Sequence, residues 1–216
     1  MTDHTPQSGF SLIELSIVLV IISMLLAAGV TLGSAKSRRT QIIQTHNEMS
    51  EVEKALHAFL SENGRLPCPA DITLTRSDAL YGREATDCSD ATPPAGIVRV
   101  EYPASSGLYV RIGGLPFFSL HLPENYLADS WHNRYLYAVS ESAITSLLES
   151  DEGNITVLDD GGTSITDAAV WVLAANGPSR KGGASDILGT IATACDAGDL
   201  DGENCDSDGV FTDAAY

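Results

Sequence analysis

The sequence predicts an α+β protein: a long N-terminal helix, half membrane spine and half amphipathic, packed on a small antiparallel β-sheet head. Three observations predict it. An apolar run, "GFSLIELSIVLVIISMLLAAGV" (9–30), carries Glu14 as its one charge. A stripe of residues at three- and four-residue steps follows it up to Asn63-Gly64. Beyond that, short β-rich stretches alternate with Gly and Pro.

The apolar run comes first in the chain. With its flanks it is long enough to span a bilayer as a helix. A secretory signal peptide would need a basic start, and "MTDHTPQSG" has no Lys or Arg, although "LLAAGVTLGSA" could serve as a cleavage site. A plain anchor would leave Glu14 without a purpose, because a carboxylate inside a membrane helix costs about 3 kcal/mol. Further on, Ile42, Ile43, His46, Met49, Val52, Leu56, Phe59 and Leu60 form an apolar stripe, with Glu48, Glu51, Glu53 and Lys54 on the other face. Asn63-Gly64 and Pro67 end the helix. Gly29 and Gly33 are places where it could bend.

In the head, "IVRVEY" (97–102), "LYVRI" (108–112), "YLYAV" (135–139), "ITVL" (155–158) and "AVWVLA" (169–174) read as strands. Gly113-Gly114, Gly153-Asn154 and Gly161-Gly162 punctuate them, and "SAITSLLES" (142–150) reads as a short helix.

Charge and cysteines bound the function. The net charge is −17, and residues 64–216 hold 23 acids against 8 bases. Such a surface does not suit nucleic acid, since phosphate contacts need Lys and Arg. Cys68, Cys88, Cys195 and Cys205 all follow the apolar run. An even count on one side of a membrane segment suggests disulfides in an oxidising compartment. Cys68–Cys88 and Cys195–Cys205 are the favoured pairs because they close local loops, each worth about 3 kcal/mol by loop entropy. Free buried thiols are the alternative.

The first stretch resembles the processing site of type IV prepilins and type II secretion pseudopilins. Gly9, Phe10, Ser11, Leu12, Ile13, Glu14 and Leu15, followed by the apolar run, carry the resemblance. It implies a leader of residues 1–9, cut by prepilin peptidase between Gly9 and Phe10 and N-methylated on Phe10. It also implies a transmembrane assembly helix over 10–35 and a pilin-like periplasmic head over 36–216. Glu14 would stand fifth in the mature chain, where the new amine of a neighbouring subunit can pair with it in low dielectric. The implied partners are prepilin peptidase, other pilin or pseudopilin subunits, an inner-membrane assembly platform and the membrane itself. Lys36, Arg38 and Arg39 after the run would by themselves keep the C-terminal side cytoplasmic. The cysteines and the resemblance favour the periplasm, with passage into a pseudopilus or an extracellular pilus.

"DSWHNRYLYAV" (129–139) is similar to a segment in the heads of major pseudopilins, with His132 where a glycine is usual. "VLAANGPSRKGGASDI" (172–187) is similar to their calcium-binding loop, but Arg180 and Lys181 intrude and only Asp186 is acidic. The tail is a second place for calcium. Asp196, Asp199, Asp201, Glu203, Asp206 and Asp208 crowd into it, with Gly202 for a turn, although the spacing is not that of an EF-hand. A solvated acidic loop is the plainer reading. No cofactor is required.

No enzyme is expected. His4, His46, His57, His121 and His132 are scattered, and GxSxG, HExxH and P-loop spacings are absent. Asn154-Ile155-Thr156 is a glycosylation sequon by spelling only. A type II secretion pseudopilin is therefore the first reading and a minor type IV pilin, for adhesion, motility or DNA uptake, the second. A membrane-tethered periplasmic enzyme or binding protein is the reading from another class.

Overall fold

The computed structural model describes residues 11–86, 88, 91–146, 153–180, 183–185, 204 and 208–213, with the backbone alone for 25–36. The chain divides into two compact units, Met1–Gln41 and Ile42–Tyr216. A single helix, α1 (Leu12–Asn63), runs through both and is unbroken at Gly29 and Gly33. It ends as the sequence predicts. Gly64 adopts φ +65°, its N–H donates to Leu60 O at 2.8 Å, and the Asn63 side chain donates to Phe59 O at 2.9 Å. A glycine in left-handed conformation thereby satisfies the last carbonyls of the helix.

The second unit holds two sheets. The four strands β1 (Val98–Glu101), β2 (Tyr109–Gly114), β3 (Leu136–Ser140) and, later in the chain, Trp171–Ala174 are antiparallel. The helix α2 (Glu141–Thr145) follows β3 directly. Next come β4 (Ile155–Asp159) and β5 (Ser164–Ala169), and Trp171–Ala174 is then β6. The sheet order is β1-β2-β3-β6. A second sheet has the order β5-β4-β7, where β7 (Val210–Asp213) lies parallel to β4. The head is thus α+β as expected, but its second sheet is mixed rather than antiparallel.

Period-two alternation explains the layering. Tyr137 and Val139 of β3 pack with Val52, Leu56 and Phe59 of α1. Ala138, with Val110 and Ile112 of β2, packs instead with Ile155 of β4 and Phe211 of β7. The four-stranded sheet therefore lies between α1 and the second sheet.

The helix stripe needs one correction. Ile43 and His46 are exposed, whereas Thr45 is buried and Glu48 partly buried. From Met49 onward the expected stripe holds, with Val52, Leu56 and Phe59 buried and Met49 and Leu60 packed against them, but ahead of it the buried position is Thr45, a polar residue that finds a partner. Gly113 and Gly114, expected to punctuate, belong to β2. They are glycines because another backbone approaches closely: Ala70 and Gly114 exchange two hydrogen bonds of 2.8 Å, and a Cβ at Gly113 would stand 2.8 Å from Ala70 O.

The Cys68–Cys88 disulfide forms, joining residues 20 apart in sequence. The loop it closes is held also by Glu84, which accepts both guanidinium nitrogens of Arg65, at 2.8 and 3.0 Å, and the N–H of Cys68 at 3.2 Å. Cys195 and Cys205 lie outside the described residues.

Candidate functional site

The N-terminal site begins on α1. Gly9 and Phe10 lie outside the described residues, and Glu14 is exposed on the first turn. Every described side chain from position 11 to 24 is exposed, including Leu12, Ile13, Val18 and Met24. A continuous apolar surface of this kind marks an interaction site with a membrane or another protein. Two of its three hydroxyls are turned inward on the helix: Ser16 donates to Ile13 O at 2.8 Å and Ser23 to Leu19 O at 2.7 Å. Hydroxyls satisfied by their own helix add little polarity to its surface. Glu14 has no ion pair among the described residues. Among those same residues no helix is long and apolar enough to cross a membrane. The side chains of 25–35, the later part of the expected span, are outside them.

The head carries a second constellation, and it unites the two segments singled out in the sequence. Asp129 is buried. Its Oδ1 accepts the N–H groups of Trp131 and Asn133, both at 2.9 Å, and its Oδ2 accepts the N–H of Gly177 at 3.0 Å. The Asn133 side-chain amide donates to both Asp129 oxygens, at 3.3 and 3.2 Å, and to Gly177 O at 2.8 Å. The turn at 129–134 and the loop after β6 are thereby tied together. Burial pushes the Asp129 carboxyl above its ordinary value, and the surrounding N–H groups of Asn133, Trp131 and Gly177 offset only part of that push. His132 sits at φ +66°, the left-handed region that favours glycine. This is why glycine suits that place in the segments it resembles.

The same turn is pinned to α1 by residues the sequence reading missed. The N–H of Ser130 donates to Thr45 Oγ1 at 3.1 Å, and the Tyr135 hydroxyl donates to Glu48 Oε2 at 3.1 Å. Burial, with the neighbouring Glu48 charge, pushes the Tyr135 hydroxyl well up, so it remains a donor. The available signal was Thr45 itself, a polar residue at stripe spacing three after Ile42 and four before Met49.

A further ion cluster joins α2 to the sheet. Arg99 and Arg111 face each other across β1 and β2, and Glu141 receives both: Arg99 at 2.7 and 3.0 Å and Arg111 at 2.9 Å. Burial pushes the Glu141 carboxyl up, but the hydrogen bond from Arg99 and the charge of Arg111 outweigh it and hold the group below its ordinary value.

The remaining candidates separate. Asp199, Asp201, Glu203 and Asp206, like Asp186 and Asp196, lie outside the described residues. Asp208 is exposed and accepts the N–H of Val210 at 2.9 Å. Among the described residues no His, Cys, Asp and Glu cluster could hold a metal ion. His46 is exposed, and His57, also exposed, meets the Trp171 ring edge-on at 6.4 Å. Asn154 is buried with its amide donating to Tyr102 O, which removes it as an accessible sequon.

A family model, the prokaryotic N-terminal methylation motif, matches residues 5–30. No curated protein and no solved structure matches the chain. Over residues 5–30 the chain therefore carries the prokaryotic N-terminal methylation motif, the hallmark of type IV pilin-like and pseudopilin proteins.

Proposed function

We propose that the chain is a structural subunit of a type II secretion pseudopilus. Prepilin peptidase removes residues 1–9, Phe10 is methylated, and the apolar half of α1 holds the subunit in the inner membrane with its head in the periplasm. The same helix then packs among its neighbours in the filament through an assembly platform. The observation that carries this reading is Glu14, unpaired among the described residues and exposed on an apolar helix five positions into the expected mature chain. Cleavage supplies a cationic amine at Phe10. An amine from one subunit and Glu14 from the next neutralise each other in a bundle of low dielectric, where a missing partner is costly.

The union of the 129–134 turn with the loop after β6 supports a pseudopilin head in particular. The departure of that loop at Arg180 favours a second reading, a minor type IV pilin. The neighbouring genes separate the two: a secretin with secretion components, or a retraction ATPase with pilus genes. No catalytic role is proposed. Glu14→Leu tests the reading. It should enter the membrane and be cleaved as the parent is, yet fail to co-purify with sheared or cross-linked filaments. Incorporation at the parent level would overturn the charge-pairing account.

A further inference from the structure

The resemblance in the loop after β6 implies calcium, but the loop's sequence has one acid, Asp186, which lies outside the described residues, and the donor set of the described residues does not fit calcium. Calcium takes six to eight oxygen ligands, several of them carboxylates. The described loop residues, 176–180 and 183–185, contain no carboxylate. Four of their carbonyls already take protein donors: Asn176 O from the Ser179 hydroxyl at 3.1 Å, Gly177 O from Asn133, Arg180 O from Gly183 N at 3.1 Å and Ala184 O from Arg134 N at 2.7 Å. The nearest described carboxylate, Asp129, has both oxygens occupied by N–H groups.

What stands in the loop instead is a guanidinium. Arg180 Nε donates to Asn133 Oδ1 at 3.1 Å. The assignment of that amide is fixed by chemistry. The other end of Asn133 faces two Asp129 oxygens and Gly177 O, which only accept, so it must be the NH₂ and the oxygen must face Arg180. Asn133 is wholly buried, and its side-chain amide bridges an anion, a loop carbonyl and a cation. Arg180 itself holds φ +60°. A side chain in that backbone region is strained, and the strain is accepted here at the residue that makes the contact.

We infer that Arg180 is the built-in cation of this loop, ordering it against the Asp129–Asn133 turn without calcium. The chain is then a pilin-like head whose loop after β6 is closed by its own side chain and is insensitive to calcium supply. This inference does not depend on which filament the subunit enters.

The test is hydrogen–deuterium exchange of the full chain in detergent micelles, read on peptides covering 129–135 and 172–185. The probes are calcium chloride, magnesium chloride and EDTA at matched ionic strength. In the parent, neither calcium nor EDTA should change exchange of these peptides. In Arg180→Asn, which tolerates the left-handed backbone, exchange at the amides of Asn133, Gly177 and Gly183 should rise roughly five- to tenfold, the loss of one hydrogen bond to a buried group. Arg180→Gly should do the same, which separates the side chain from the backbone strain. Calcium acting in the acidic tail would protect other peptides and leave these unchanged. Protection of these peptides by calcium in the parent, or unchanged exchange in either variant, would overturn the inference.

Discussion

Asp129→Ala measures how far the head depends on its buried carboxylate. The substitution removes the acceptor of three backbone N–H groups. Two of these, on Asn133 and Gly177, are buried residues without access to solvent. Each unsatisfied buried donor costs about 1–3 kcal/mol. Against this, the variant no longer buries a carboxyl, a relief whose sign is visible in the upward push on that group. The net loss should be about 3 kcal/mol, or roughly 6–12 °C in Tm for a head of this size. The pH dependence follows from the same shift. The folded-state value is raised above the ordinary 3.8, so the parent loses part of its stability as pH climbs from there through the folded value. The alanine variant has nothing to ionise at that position. The gap between the two should therefore be wider in acid than at neutral pH. Thermal melting of the full chain in detergent, followed by the near-UV signal of Trp131 and Trp171, reads both effects. A variant melting within about 1 °C of the parent, or a gap that closes in acid, would refute the reasoning.

Glu141→Gln should cost about 2 kcal/mol, less than a fully buried pair because Glu141 is a quarter exposed while Arg111 is wholly buried. The folded Glu141 value lies below the ordinary 4.5, so its stabilisation is complete above that pH and is lost as pH falls through the folded value. The variant should consequently show a flatter acid limb in denaturant titrations, and an unchanged limb would count against the Arg99–Glu141–Arg111 cluster. Replacing Cys68 and Cys88 by Ser should cost about 3 kcal/mol from the loop of 20 residues. Reducing agent should produce the same drop in the parent's urea midpoint, and a parent indifferent to reduction would contradict it.

Much of the architecture was legible because it rests on local rules. The Asn63-Gly64 helix stop, four of the five expected strands almost to the residue and the Cys68–Cys88 loop follow from turn chemistry, period-two alternation and short-range closure. The fifth, "AVWVLA", conceals a break: β5 ends at Ala169 and β6 starts at Trp171, so one apolar run feeds two different sheets. Nothing local marks that switch. β5 itself is mostly exposed and reads as polar loop, and β7 gains its strand character by lying parallel to a distant β4. The expected 142–150 helix is formed over Glu141–Thr145, and its later half lies outside the described residues.

The head site was legible as two segments but not as one constellation. Only the fold brings Gly177 to Asp129 and Arg180 to Asn133, contacts across more than forty positions of sequence. The Thr45 anchor was hidden for a related reason. A threonine on a helix becomes a core residue only when a specific N–H, here that of Ser130, arrives to satisfy it.

The most direct test of the central claim is the mass of the mature N-terminus after co-expression with a prepilin peptidase and recovery from membranes. The account predicts loss of nine residues, with Phe10 first in the chain and carrying one added methyl group, and it predicts that Gly9→Val abolishes the cut by crowding the scissile bond. An intact Met1 chain in the presence of active peptidase, or a cut near Ala35 as a secretory signal would give, would contradict it.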